Sequence, residues 1–169
     1  GKVFKIFLLI VIISQMSLTA KDVMKFEDYF HNKTLRIDYF HIGNNAEEII
    51  TIDRLYIYNE WGRNKKNLID NFNKGRYYFK IYDSQTGTLI YSKGFDSYFG
   101  EYKTGDDGLN GIKKAYHESA IIPHPKNKFR FVVENRLRDN SMKEIHSSEI
   151  DPNDINIINE SPNDPSVKV

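Results

Sequence analysis

Gly75–Arg76–Tyr77–Tyr78–Phe79–Lys80–Ile81–Tyr82–Asp83–Ser84–Gln85–Thr86–Gly87–Thr88–Leu89–Ile90–Tyr91–Ser92–Lys93–Gly94–Phe95 is the stretch that decides the fold. Tyr77, Phe79 and Ile81 alternate with Tyr78, Lys80 and Tyr82, which is the period of a strand. Asp83–Gly87 supplies turn residues, and Leu89 and Tyr91 then alternate with Ile90 and Ser92 on the return. Two alternating runs around a short glycine-containing loop predict a β-hairpin. Gly94 either ends the second strand or marks a bulge within it.

Outward from the hairpin, the pattern stays β-rich. Thr34–Ile42 reads as a strand, followed by turn residues at Gly43–Asn44–Asn45. Glu48–Tyr58 carries β-branched residues and reads as a strand, although the acidic pair Glu47–Glu48 leaves a helix start open. Asn59–Asn64 is a polar loop holding the single Trp, Trp61. Lys128–Asn135 alternates as a strand, with Lys143–Ile150 a weaker candidate. Leu109–Ser119 has Ile112, Ala115 and Tyr116 at helical spacing and predicts the one helix, stopped by Pro123 and Pro125. From Asp151 onward, prolines with Asn and Asp read as a linker. The expected class is mostly β, an antiparallel β-sandwich with one short helix around 109–119. A β-barrel is the alternative, and the pattern does not set strand order.

Composition supports this reading and removes several functions. The 11 Tyr and 11 Phe favour a pleated, half-buried surface. With 24 basic against 23 acidic residues, the net charge of +1 gives no electrostatic case for nucleic acid or an anionic membrane. There is no cysteine, hence no disulfide and no thiol nucleophile. Lys2 and Lys5 precede the apolar run Ile6–Ile13, with small and polar residues to Ala20, the layout of a secretory signal peptide. The run is short for a membrane span. Cleavage after Ala20 or after Ser17 is expected, with export to the periplasm or the medium. Residues 1–20 then form the leader and 25–154 one domain, with 155–169 a linker.

The usual chemistries lack their residues. Among His31, His41, His117, His124 and His146, no pair has the spacing of a helical zinc protease motif; after His117–Glu118, Ile121 stands where the second His belongs. Asp106–Asp107–Gly108 could offer oxygens to a hard cation, without EF-hand spacing, and Asp151–Asp154 shares that ambiguity. No serine sits in a nucleophile elbow. Glu101, Asp106 and Glu118 could be nominated as a hydrolytic carboxylate pair, as acids of any such domain could. Gly105, Gly108 and Gly111 do not continue into a phosphate-binding Lys-Ser/Thr. Trp61, Tyr98 and Tyr102 are candidate ligand-binding aromatics for a glycan or peptide; the competing reading makes Trp61 and Phe99 core anchors.

Several segments resemble a known family. They are Thr34–His41, Trp61–Gly62 with Asn67–Asp70, Gly75–Tyr77, and Leu89–Phe95 running on to Phe99, Glu101 and Thr104. His117–Ser119, Pro123–Lys126 and Ile150–Pro152 follow in order. Together they resemble the N-terminal domain of the secreted IgA-peptidase-type zinc metallopeptidases of Bacteroides-like bacteria. The family often has Trp where Tyr102 stands. The resemblance implies a non-catalytic β-sandwich accessory domain preceding a peptidase domain, whose His-Glu-x-x-His zinc motif would come later. It therefore implies no cofactor, metal or catalytic residue in this chain. The expected partners are the downstream peptidase domain and a protein or glycoprotein substrate. It suggests structural roles for the matched residues Arg36, Asp38, Gly94, Phe95 and Glu101, including an ion pair of Arg36 with Asp38 and Glu101. An independent glycan- or peptide-binding module is the competing function, and a hydrolase using an unrecognised carboxylate pair is a third.

Overall fold

The computed structural model describes residues 24–160; the expected leader lies outside them. Eight strands form two four-stranded sheets packed as a sandwich. One sheet has the order β5-β1-β2-β8 and the other β4-β3-β6-β7. The strands are β1 (Phe30–Gly43), β2 (Glu48–Tyr58), β3 (Tyr77–Asp83), β4 (Leu89–Phe95), β5 (Lys114–Pro125), β6 (Phe129–Arg136), β7 (Met142–Ile150) and β8 (Ile158–Asn159). Three short helices accompany them: α1 (Phe26–Tyr29), α2 (Tyr98–Tyr102) and α3 (Asp106–Leu109). All pairings are antiparallel except that of β8 with β2.

Alternation along the strands builds the core. Leu35, Ile37 and Tyr39 of β1 with Ala120 and Ile122 of β5 face Phe79 and Ile81 of β3 and Phe129, Phe131 and Val133 of β6. Tyr39 meets Phe79 edge-on across the sandwich, with ring centroids 6.1 Å apart, and Phe95 stacks on Phe79 at 4.0 Å. The predicted hairpin is β3–β4, with Ile81 opposite Tyr91 and Phe79 opposite Lys93. Burial of large aromatic surface is the main stabilising term in such a core.

The expected helix at 109–119 is absent. Residues 106–109 form α3, Gly111 turns the chain at φ +84°, and β5 starts at Lys114. Tyr116, Glu118, Ala120 and Ile122 turn inward while Ala115, His117 and Ser119 stay exposed. That two-residue period, paired with β1 from Gly43↔Lys114 to Phe30↔Pro125, outweighs the helical spacing of three apolar residues. Pro123 and Pro125 are tolerated because β5 is an edge strand. Within the expected linker, Ile158–Asn159 form β8, and the Glu160 amide donates to the Ile57 carbonyl at 2.8 Å.

The matched residues around Gly94 form one locked unit. The connection between β2 and β3 covers the free edge of β4: the Ser92 amide donates to the Leu68 carbonyl (3.0 Å) and the Gly94 amide to Asp70 Oδ2 (2.9 Å). A β-carbon at Gly94 would lie 2.9 Å from the Tyr78 ring and 3.0 Å from Asp70 Oδ2. Tyr78 is itself buried and accepts from the Gly75 amide. Gly94→Ala is therefore expected to cost about 1–3 kcal/mol through overpacking. Denaturant unfolding checks this, and a change within about 0.5 kcal/mol, typical of a surface site, would contradict it.

Candidate functional site

At the end of the sandwich where β1 turns into β2, the apolar core gives way to charge. His41 is fully buried on the central strand β1. Its cross-strand neighbours bring a carboxylate from each side. Glu48 of β2 stands opposite Gly43, and Glu118 of β5 stands opposite Tyr39, so both are diagonal to His41. His41 Nε2 lies 2.8 Å from Glu48 Oε1, and Nδ1 lies 3.2 Å from Glu118 Oε2. The Phe99 ring stacks on the imidazole at 4.1 Å, and Tyr77 meets it edge-on at 5.5 Å.

Both carboxylates have further partners. Glu48 Oε2 accepts from Lys103 Nζ (2.8 Å) and from Asn135 Nδ2 (2.9 Å), and Glu118 Oε2 accepts from the Tyr39 hydroxyl (3.1 Å). Helix α2 delivers Phe99 and the adjoining Lys103; the Ser97 hydroxyl caps it by accepting from the Gly100 amide at 2.8 Å. The Tyr77 hydroxyl is buried near Glu48 and Ser97 without a well-aligned bond.

Charge and burial compete here. Burial alone would lower the His41 pKa, but its bonds to Glu118 and Glu48 and their charges outweigh it and raise the value. Burial would raise that of Glu48, yet His41 and Lys103 pull it down to about 2. Burial first, and then Glu118, holds the Tyr39 hydroxyl neutral. The cluster is a balanced ionic plug of two cations and two carboxylates.

The plug does not make a reactive centre. Each ring nitrogen of His41 faces a carboxylate, which leaves no lone pair for a substrate proton. Glu48 and Glu118 lie on opposite sides of the ring, so one ion could not touch all three. Among the described residues there is no cluster of three or more His, Cys, Asp or Glu suited to a metal. Ser119 points the other way and donates to Asp38 Oδ1 at 2.6 Å. Glu101 and Asp106 are exposed, whereas Glu118 is half-buried and already bonded to Tyr39 and His41.

Of the aromatics singled out from sequence, Trp61 lies apart from Tyr98 and Tyr102, which are four residues apart on α2. Trp61 is 5% exposed and packs edge-on against Tyr91 of β4, as a core anchor would. Tyr102 packs on Tyr116 at 5.6 Å and its hydroxyl donates to the Ile112 carbonyl, beside the start of β5. Tyr98 is 76% exposed. Trp61 follows the end of β2, whereas Tyr102 lies near the opposite end, at the ionic plug. Arg36 Nε does contact Asp38 at 3.0 Å, as a contact of charges more than an aligned hydrogen bond. Its second carboxylate is Glu160 at 3.7 Å and not Glu101. Arg36 also lies 4.0 Å over the Tyr56 ring.

Sequence reading missed the plug. Glu48 was within reach of it, since a hairpin turning at Gly43–Asn45 sets Glu48 diagonal to His41. Glu118 was not, because its segment reads as helix.

The plug sets a pH signature. A raised His41 pKa gives stability that is full below its unfolded value, 6.5, and lost as pH rises through the folded value. A lowered Glu48 pKa gives stability that is full above 4.5 and lost as pH falls toward 2. Melting temperature is expected to peak between those limits and to fall on the alkaline side. In His41→Gln the alkaline fall should flatten. Glu48→Gln, which strips a buried pair of one partner, should cost about 3–5 kcal/mol. An alkaline limb that is identical in wild type and His41→Gln would contradict the assignment.

A family model described as Peptidase M64 N-terminus matches residues 25–147, which take in seven of the eight strands nearly whole. No curated protein matches the chain.

Proposed function

Because the chain belongs to the Peptidase M64 N-terminus family, we propose that it is the non-catalytic N-terminal β-sandwich domain of a secreted zinc metalloendopeptidase resembling IgA peptidases. In this reading it orients the catalytic domain or presents a protein or glycoprotein substrate to it. The observation that carries the reading is the family match across both sheets, and the saturated His41 supports it. In this reading the catalytic zinc belongs to a downstream domain. The basic, apolar start of the chain supports export to the periplasm or the medium. Among the described residues no helix is long and apolar enough to cross a membrane.

The coding sequence beyond Val169 is expected to continue into a domain with a His-Glu-x-x-His motif; a stop codon directly after Val169 overturns the reading. In the parent enzyme, removal of residues 25–154 should lower kcat/KM on folded protein substrates. Loss confined to protein substrates supports presentation, and equal loss on a short peptide supports orientation of the catalytic domain. Unchanged turnover of both would refute an accessory role.

A further inference from the structure

A groove of about 530 Å³ opens over the ionic plug, between the β1–β2 turn, the α2–α3 segment and the facing ends of β6 and β7. Its carboxylates are already satisfied. Glu47 is paired with Lys113, Glu48 with Lys103 and His41, and Glu144 with Arg130 at 3.6 Å. Of its five cations, Lys103 is paired with Glu48 and three others have no carboxylate partner among the described residues. Arg76, Arg138 and Lys143 line the groove with no carboxylate within 4.0 Å among the described residues. Arg136 beside them is turned to the carbonyls of Gly75 and Asn73. The groove thus presents three unpaired positive charges in a chain whose overall charge is only +1.

Two exposed leucines, Leu109 (57%) and Leu137 (41%), line the same groove. No aromatic side chain lines it, so a sugar ring has no flat face to rest on. The last described residue, Glu160, is held beside Ile57, nine strand residues from Glu48, or roughly 30 Å at the usual strand rise. The groove therefore lies at the other end of β2 from Glu160.

We propose that this groove binds an acidic polypeptide segment, its carboxylates on Arg76, Arg138 and Lys143 and an apolar side chain against Leu109 and Leu137. The inference deepens the accessory reading by naming the surface on which a protein would be held. Charge complementarity of this kind sets encounter rate and specificity more than raw affinity.

Fluorescence anisotropy with a labelled peptide of alternating Glu and Leu, against its Gln-for-Glu counterpart, tests it on this chain alone. The acidic peptide should bind at least about tenfold tighter, and raising salt from about 0.05 to about 0.5 M should erase most of the difference. The variant Arg76→Gln/Arg138→Gln/Lys143→Gln should lose that preference. The exposed pair Arg138→Gln/Lys143→Gln should weaken it, which keeps the test open if the triple variant does not fold. Equal binding of both peptides, no binding of either, or an unchanged folded variant would overturn the proposal. So would tighter binding of a polyuronate oligosaccharide of matched charge. Binding here is independent of the parent enzyme's turnover. A peptide-binding groove whose loss leaves cleavage unchanged would refute substrate presentation and leave the groove standing.

Discussion

A buried imidazole held between two carboxylates is the constraint on which one end of this sandwich depends. Three strands and a helix must agree for it to form. β1 supplies His41, β2 and β5 supply Glu48 and Glu118 from diagonal positions, and the stretch from α2 to its C-cap supplies Phe99 and Lys103. A one-residue slip of either neighbouring strand would turn its carboxylate to the outer face and leave His41 uncompensated. An unpaired buried charge costs several kcal/mol, so the cluster opposes such slips strongly even if its net contribution to stability is small. The aromatic layer continues it: Tyr77 touches His41, and Tyr39 and Phe79 meet across the sheets one register step deeper. The α2 region, between two strands of different sheets, is thereby tied to both.

The sequence made the local half of this structure legible and concealed the long-range half. The β3–β4 hairpin could be read because its alternation and its turn lie within one short window. β6 and β7 could be read for the same reason. β5 could not, since its apolar residues near the start fall at helical spacing, and only pairing with β1, about 80 residues distant in the register Asp38↔Ser119, forces the period of two. The error hid Glu118, because on a helix it would have had no reason to face His41. β8 was equally hidden: a two-residue strand in a Pro- and Asn-rich tail carries no periodic signal.

The matched residues illustrate a related point about what a motif records. Arg36, Asp38, Gly94 and Phe95 do not converge on a site. Arg36 and Asp38 join the outer face of one sheet to the end of the described chain, through Tyr56 and Glu160. Gly94 lacks a side chain because the Tyr78 ring occupies that space, and Phe95 completes the stack on Phe79. Glu101, matched in the same run, stays exposed. Each of the first four satisfies a packing demand at a different place.

Near-neutral total charge is a poor guide to the surface of such a domain. Of the carboxylates at the β1–β2 end, Glu48 and Glu118 are consumed by the plug, and Glu47 and Glu144 by neighbouring cations. Acids used internally no longer screen the cations beside them, so Arg76, Arg138 and Lys143 are left to face the groove. The same ionic arrangement that closes the core thus creates the local positive field above it. Fields of this kind act over about 8 Å at physiological salt, enough to select an approaching acidic segment within the groove and too short to be felt across the whole molecule. Structural compensation at the core and selectivity at the surface are then two consequences of one distribution of charge.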